Sequence, residues 1–207
     1  MNWDLTFEMA ALSLASYDDD SDAIKEWYDH TLFVKHPRTG TEAYAVAGNG
    51  YRAIAVRGSD ALTDWLWNFF LCRRKDGAHK GFSEGSDSIL ENMALLEFLE
   101  EHKDEGSILL TGHSRGGSIA QILVTELDEV AACWCFGAPR VGNRAFKRSY
   151  FKNGVPTYLF RNKGDVVPSL LPWWWGYTHV TNIRSMDGHG HDMGEYLEEA
   201  AKKAGYR

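Results

Sequence analysis

The stretch Ser107–Gly117 reads SILLTGHSRGG. A short apolar run, Ile108 to Thr111, ends in the pentapeptide Gly112-His113-Ser114-Arg115-Gly116. The segment beyond it carries Ile119, Ile122, Leu123 and Leu127 at helical spacing. An apolar run of that length fits a strand buried on both faces of a parallel sheet. Glycines two before and two after Ser114 suit a sharp strand-to-helix turn, where bulkier residues would collide with the neighbouring strand and helix. Such a turn lifts the Ser114 hydroxyl clear of the sheet edge. It also aims the backbone N–H groups that follow, at a helix N-terminus, toward a developing oxyanion.

Working outward, strand and helix patterns alternate. Strands are expected at 107–111, 131–136, 157–161 and 177–183, with helices at 116–127, 143–151 and from 192 onward. Upstream, 4–16 has helical spacing at Leu5, Met9 and Leu12. Segments 42–47 and 51–57 read as a hairpin turning at Asn49-Gly50. Residues 61–70 read as a short, unusually apolar helix. Residues 84–101 read as one long helix with Ile89, Met93, Leu96 and Leu99 on one side. The alternation predicts an α/β fold: a mostly parallel central sheet with helices on both faces. With no repeat, linker or low-complexity tract, residues 1–207 are expected to form one domain.

A serine nucleophile needs a base, and the base needs an orienting carboxylate. Asp165 falls at the carboxyl end of the expected strand 157–161, although Gly164-Asp165 also reads as a plain turn; Asp187 is the next acid in line. In the chain order Ser, acid, His, three histidines remain as the base: His179, His189 and His191. His179 sits in a strand-like run and reads as a core histidine. His189 and His191 both lie in the glycine-rich GHGHDMG loop. The HxH spacing has no supporting cluster for a metal, so no metal or other cofactor is expected.

Composition narrows the partners. The net charge is −7, from 22 basic and 29 acidic residues, which argues against nucleic acid. No apolar run is long enough to span a membrane. Three cysteines, Cys72, Cys133 and Cys135, without a CxxC pair, suggest neither a disulfide framework nor a zinc site. The N-terminus shows no leader, so a cytoplasmic setting is the default expectation; a mature secreted form carrying an added Met would look the same.

Taken in order, these motifs resemble those of the class 3, fungal-type lipases of the α/β-hydrolase superfamily. The matching segments are Val56-Arg57-Gly58-Ser59, Asp64-Trp65-Leu66, His79-Lys80-Gly81-Phe82, Gly112 to Gly117, Phe136 to Asn143 (FGAPRVGN), Asp165-Val166-Val167-Pro168, Gly176 to Val180, and His191 with Tyr196. The resemblance covers about residues 40–200. It implies a three-layer α/β-hydrolase fold, with Ser114 as nucleophile, Asp165 as acid and His191 as base. The oxyanion would be held by the Ser59 N–H and hydroxyl and by the Arg115 N–H, with no cofactor. A lid would span about 60–71. The implied reaction is hydrolysis of lipid esters, most of all acylglycerols, at a lipid–water interface. Alternatives within the same machinery are a phospholipase A1 or a soluble carboxylesterase or feruloyl-type esterase; from another class, a catalytically silent interaction module. Two positions depart from the pattern: Val56 replaces the usual Phe, and Arg115 stands where Leu is common.

Residues 170–175 read LLPWWW. Three consecutive Trp cannot all face one surface in either a strand or a helix. At least one of Trp173, Trp174 and Trp175 is therefore expected near solvent. With Trp65 and Leu66 of the lid segment, Trp173 and Trp174 are expected to rim the acyl groove.

Overall fold

The computed structural model describes residues 1–59 and 73–206. The chain opens with helices α1 (Trp3–Ala15) and α2 (Asp22–Trp27), then strands β1 (His30–Lys35), β2 (Glu42–Gly48) and β3 (Tyr51–Val56). Helices α3 (Lys80–Leu90) and α4 (Met93–Glu101) lead into β4 (Ile108–His113), α5 (Arg115–Leu123) and β5 (Val130–Phe136). A short β6 (Gly142–Asn143), α6 (Arg144–Phe151), β7 (Thr157–Lys163), a short β8 (Tyr177–Thr178), β9 (Ile183–His189) and α7 (Met193–Ala204) follow.

Seven strands form one sheet in the order β1-β2-β3-β4-β5-β7-β9. The first three pair antiparallel. From β3 onward every pairing is parallel. The period of two along each strand separates two cores. Ile54, Val56, Leu110, Cys133, Cys135 and Leu159 join Phe82, Leu95, Ile119 and Phe146 on one face. Ala53, Ala55, Leu109, Trp134, Phe136 and Phe160 join Met9, Leu12, Ile24 and Tyr196 on the other. Helices therefore cover both faces, and the three-layer arrangement holds. Cys133 and Cys135 are free, buried core residues.

The hairpin turns as its residues dictate. Asn49 and Gly50 both have positive φ, 57° and 84°, the signature of a type I′ turn. Other elements differ from expectation. The long helix over 84–101 is two helices, because the Asn92 side chain accepts from the Leu95 N–H at 3.1 Å and starts α4 afresh. The strand over 177–183 also divides. Tyr177–Thr178 pairs with Gly142–Asn143, and the chain rejoins the main sheet only at Ile183. Between them the His179 ring bonds the Pro168 carbonyl at 2.7 Å, holding that stretch off the sheet. Helix α2, capped by Ser21, and edge strand β1 are additions to the expected set. The expected helix over 61–70, with Trp65, Leu66 and the lid, lies outside the described residues. Among the described residues, no helix is long and apolar enough to cross a membrane.

Opposite the carboxyl edge, a buried guanidinium ties the loops together. Arg52 donates to the carbonyls of Gly106 (2.8 Å) and Leu99 (2.5 Å) and to the Glu129 carboxylate (2.7 Å). Arg52→Leu strands two buried carbonyls, so it is expected to cost about 2–3 kcal/mol of stability. Urea unfolding should show this as a lower midpoint with an unchanged slope.

Candidate active site

Ser114 occupies the turn between β4 and α5 at φ 56°, ψ −126°, a left-handed conformation that non-glycine residues seldom adopt. Its N–H donates to the Phe136 carbonyl at 2.8 Å, and the residue is 2% exposed. The flanking glycines are required by contact. A Cβ on Gly112 would lie 2.5 Å from the Gly116 carbonyl carbon, and one on Gly116 would strike the Val56 carbonyl oxygen. A Cβ on Gly117 would sit 2.8 Å from the Gly112 carbonyl oxygen.

Asp165 follows β7 and is buried. Its Oδ2 lies 2.9 Å from His191 Nδ1 and accepts from the Tyr196 hydroxyl at 2.6 Å. Its Oδ1 accepts from the Val167 N–H at 2.9 Å. Burial pushes the carboxyl pKa up, but the hydrogen bonds from His191, Tyr196 and Val167 outweigh it and leave it below its ordinary value. Gly137, at φ 59°, makes room for the pair. A Cβ there would lie 2.9 Å from both Asp165 Oδ2 and the His191 ring. The far nitrogen of that ring, Nε2, is buried and has no hydrogen-bond partner among the described residues.

His191 is held from behind. His113 lies 2.8 Å through Nε2 from the His191 carbonyl oxygen and 2.7 Å through Nδ1 from the Tyr17 hydroxyl. Burial and the neighbouring His191 push the His113 pKa down to about 3, so its ring is neutral. Nε2 then carries the proton and donates to the carbonyl, while Nδ1 accepts from Tyr17. The sequence reading took His113 only as part of the elbow and gave Tyr17 no role. The one available signal was a histidine just before Ser114 in a buried strand.

The remaining candidates sort by position. His189 is exposed, and its N–H donates to Glu195. Burial pushes the His179 pKa down to about 4, and its ring is bound to the Pro168 carbonyl, away from Asp165. Asp187 is tied to Lys163 and Lys203 at the surface. The loop holding Ser59 lies against the elbow: a Cβ on Gly58 would sit 2.9 Å from the His113 carbonyl oxygen. Arg115 is the first residue of α5. Trp173 and Trp174 stand in a single 3₁₀ turn, 71% and 67% exposed. Arg140 holds the segment leading into that turn through the carbonyls of Ser169 (2.5 Å) and Leu170 (3.2 Å).

A strained serine between β4 and α5, with a carboxylate–imidazole pair beyond β7 and β9, has the arrangement of an α/β-hydrolase site. Residues 53–174 match the family model described as Lipase (class 3), and the chain belongs to that family. It is 28% identical over 163 residues to the secreted mono- and diacylglycerol lipase 1 of Fusarium solani, covering 73% of this chain and 49% of that one. It is 29% identical over 178 residues to the chloroplastic phospholipase A1-Igamma1 of Arabidopsis thaliana, covering 69% of this chain and 33% of that one. The chain thus spans half or less of the length of these relatives. Its fold matches the mono- and diacylglycerol lipase from Aspergillus oryzae with TM-score 0.74 at 20% identity, over 90% of this chain and 80% of that one. These relatives correct the cytoplasmic default: one is described as secreted and the other as chloroplastic.

The depressed Asp165 pKa makes a pH-dependent contribution to stability. It is present above the ordinary carboxylate pKa, about 3.9, and lost as pH falls through the lowered value. Tyr196→Phe removes one donor to the charged form. It is expected to cost roughly 1.5–3 kcal/mol at pH 7, with a smaller difference from wild type near pH 3, as read by urea midpoints at the two pH values.

Proposed function

We propose that the protein is a serine carboxylic-ester hydrolase acting on acylglycerols, with Ser114 as nucleophile, His191 as base and Asp165 as the orienting acid. The observation that carries this reading is the His191 ring. One nitrogen is fixed on a buried, charge-stabilised carboxylate, and the other is buried with no hydrogen-bond partner among the described residues, on the same sheet edge as the strained Ser114. Hydrogen bonds of this kind are often open in the free enzyme and tighten when substrate binds.

In the first half-reaction, His191 Nε2 accepts the Ser114 proton as Oγ attacks the ester carbonyl carbon. Asp165 holds the ring in the Nδ1–H tautomer and stabilises the imidazolium. The tetrahedral oxyanion accepts hydrogen bonds from the Arg115 N–H and from Ser59, with each donor typically worth ~2.7–4 kcal/mol in the transition state. The C–O bond breaks and His191 gives its proton to the leaving alcohol. Water then attacks the acyl-enzyme by the same route and frees the carboxylic acid. Each step uses only groups that the chain carries.

Ser114→Ala is expected to abolish hydrolysis of a chromogenic ester, and a phosphonate ester is expected to label wild type once, on the tryptic peptide ending at Arg115. Asp165→Asn should lower kcat by roughly 10⁴ by favouring the wrong tautomer. His191→Ala should be at least as damaging, whereas His189→Ala should leave most activity. An inactive His189→Ala variant beside an active His191→Ala variant would move the base two residues back along the loop.

The exposed Trp turn supports a lipid–water interface as the place of action. Indole rings suit that boundary, and at net charge −7 the attraction must be apolar. Activity is expected to rise steeply as an ester passes from monomers to droplets. Trp174→Ala should blunt that rise more than it slows hydrolysis of a soluble short-chain ester. Simple saturation through the solubility limit in both proteins would mark a soluble esterase instead.

A further inference from the structure

A pocket of about 310 Å³ opens between α1, the end of α2 and the β2–β3 turn. The turn precedes β3, whose far end leads to Gly58 beside the elbow, so the pocket lies at the opposite end of that strand from Ser114. Its walls are Phe7, Ala11, Trp27 and Tyr28, and its polar lining is Glu8 and Asn49. The aromatic residues are placed by the fold. Trp27 closes α2 and is 48% exposed. Asn49 Nδ2 donates to the Trp27 carbonyl oxygen at 3.4 Å, which ties α2 to the turn. Tyr28 is buried, and Phe7 packs against Tyr206 with 4.8 Å between ring centroids.

The carboxylate at the pocket is also placed by the fold. The Tyr51 hydroxyl donates to Glu8 Oε2 at 3.1 Å and lies 2.8 Å from the Tyr28 hydroxyl. Tyr51 spends its proton on Glu8, so Tyr28 donates to Tyr51. Burial pushes both phenol pKa values up, so both rings stay neutral and the relay ends on the Glu8 carboxylate as acceptor. No cation lines the pocket, and no ion pair forms at Glu8 among the described residues. Residues 1–29 carry eight Asp and Glu against one basic residue, Lys25, and Lys25 is engaged by Asp20. The field around the pocket is negative.

These features define the complementary ligand. An anion is repelled. A wholly apolar molecule would desolvate Glu8 for no return. A hard metal ion needs several oxygen ligands, and this lining offers one carboxylate and one amide. An alkylated ammonium ion carries its charge inside an apolar shell, so aromatic rings and a carboxylate attract it together. Pockets of ~300–1,000 Å³ hold small-molecule ligands, and this one stands at the low end. We propose that the pocket binds a small alkylated ammonium ion, with the alkyl groups against Phe7, Trp27 and Tyr28 and the charge facing Glu8. The site is separate from the ester chemistry and does not depend on the reading of Ser114.

The test uses choline as probe. Its control is neohexyl alcohol, the uncharged molecule of the same shape in which carbon replaces the nitrogen. Both are titrated into the full chain at constant ionic strength, and binding is followed at the Trp27 indole N–H resonance, assigned by its loss in Trp27→Phe. Choline is expected to shift that resonance saturably, with neohexyl alcohol roughly fivefold weaker or more. Glu8→Gln should weaken choline severalfold. Glu8→Lys, which puts a tethered cation at the pocket, should abolish binding. In calorimetry, Trp27→Ala should remove the choline signal. Equal affinity for choline and neohexyl alcohol overturns the proposal, as does unchanged choline affinity in Glu8→Lys or an equal shift with sodium chloride. Glu8 is exposed, so its variants carry the test even where Trp27→Ala fails to fold. Ser114→Ala should bind choline as wild type does; loss of binding there would put the ion in the active site and overturn the placement.

Discussion

Everything at the carboxyl edge depends on one close approach, the crossing of α5 over β4 at Gly112, Gly116 and Gly117. No side chain fits between them: a Cβ on Gly116 meets the Val56 and Arg57 carbonyls, and one on Gly117 meets Gly112 and Ala138. The crossing fixes the helix against β3 and β5 at once. It leaves Ser114 no ordinary conformation. A non-glycine residue at such a φ costs roughly 1–3 kcal/mol, and it persists only where its surroundings over-determine it. Here the bond from the Ser114 N–H to Phe136 and the glycine contacts on either side do so.

The Asp165–His191 pair is built by the opposite device, polar saturation. Three donors converge on the Asp165 carboxylate. They come from the loop after β7, the loop after β9 and α7, so a single anion gathers three chain segments. His113 adds a fourth tie by gripping the His191 backbone from the strand that carries the elbow. A charged group that is fully hydrogen-bonded in a low-dielectric setting holds its partners more tightly than it would in water. The His191 imidazole is thus held in one orientation by the fold itself, as the proposed role of base requires.

The parts of this arrangement legible in the sequence are those set by sterics and period. SILLTGHSRGG shows its turn because only glycine fits there, and the β-strand alternation through Cys133, Trp134, Cys135 and Phe136 shows two buried faces. The Asp165–His191 pairing was half legible. Spacing left His189 and His191 level, and the resemblance to a known family separated them; in the structure the two-residue difference decides which ring faces Asp165 and which faces solvent. Tertiary relations were hidden. Nothing local to Tyr17 announces a partner 96 residues away, and Asn92 ends one helix and begins another inside a pattern that reads as continuous. Segment 177–183 looked like one strand because Tyr177, Thr178, Val180, Thr181 and Ile183 all favour strands, yet it serves two sheets.

The two flanks of the elbow complete the argument. On the β7 side, Arg140 holds the segment leading into the Trp turn by the carbonyls of Ser169 and Leu170, and the Trp173 and Trp174 side chains stand exposed. On the β3 side, the groove lined by Ser59 and Arg115 is polar and carries charges of both signs. A substrate lying across Ser114 meets an apolar solvent at one end and a charged one at the other. On the proposed reading, that asymmetry fits an amphiphilic ester lying with its acyl chains toward the Trp turn. A wholly apolar ester would leave the groove to water, and a wholly polar one would leave the indoles uncovered. The carbonyl to be attacked is the boundary between the two halves of such a molecule, and the elbow sits at the corresponding boundary in the protein.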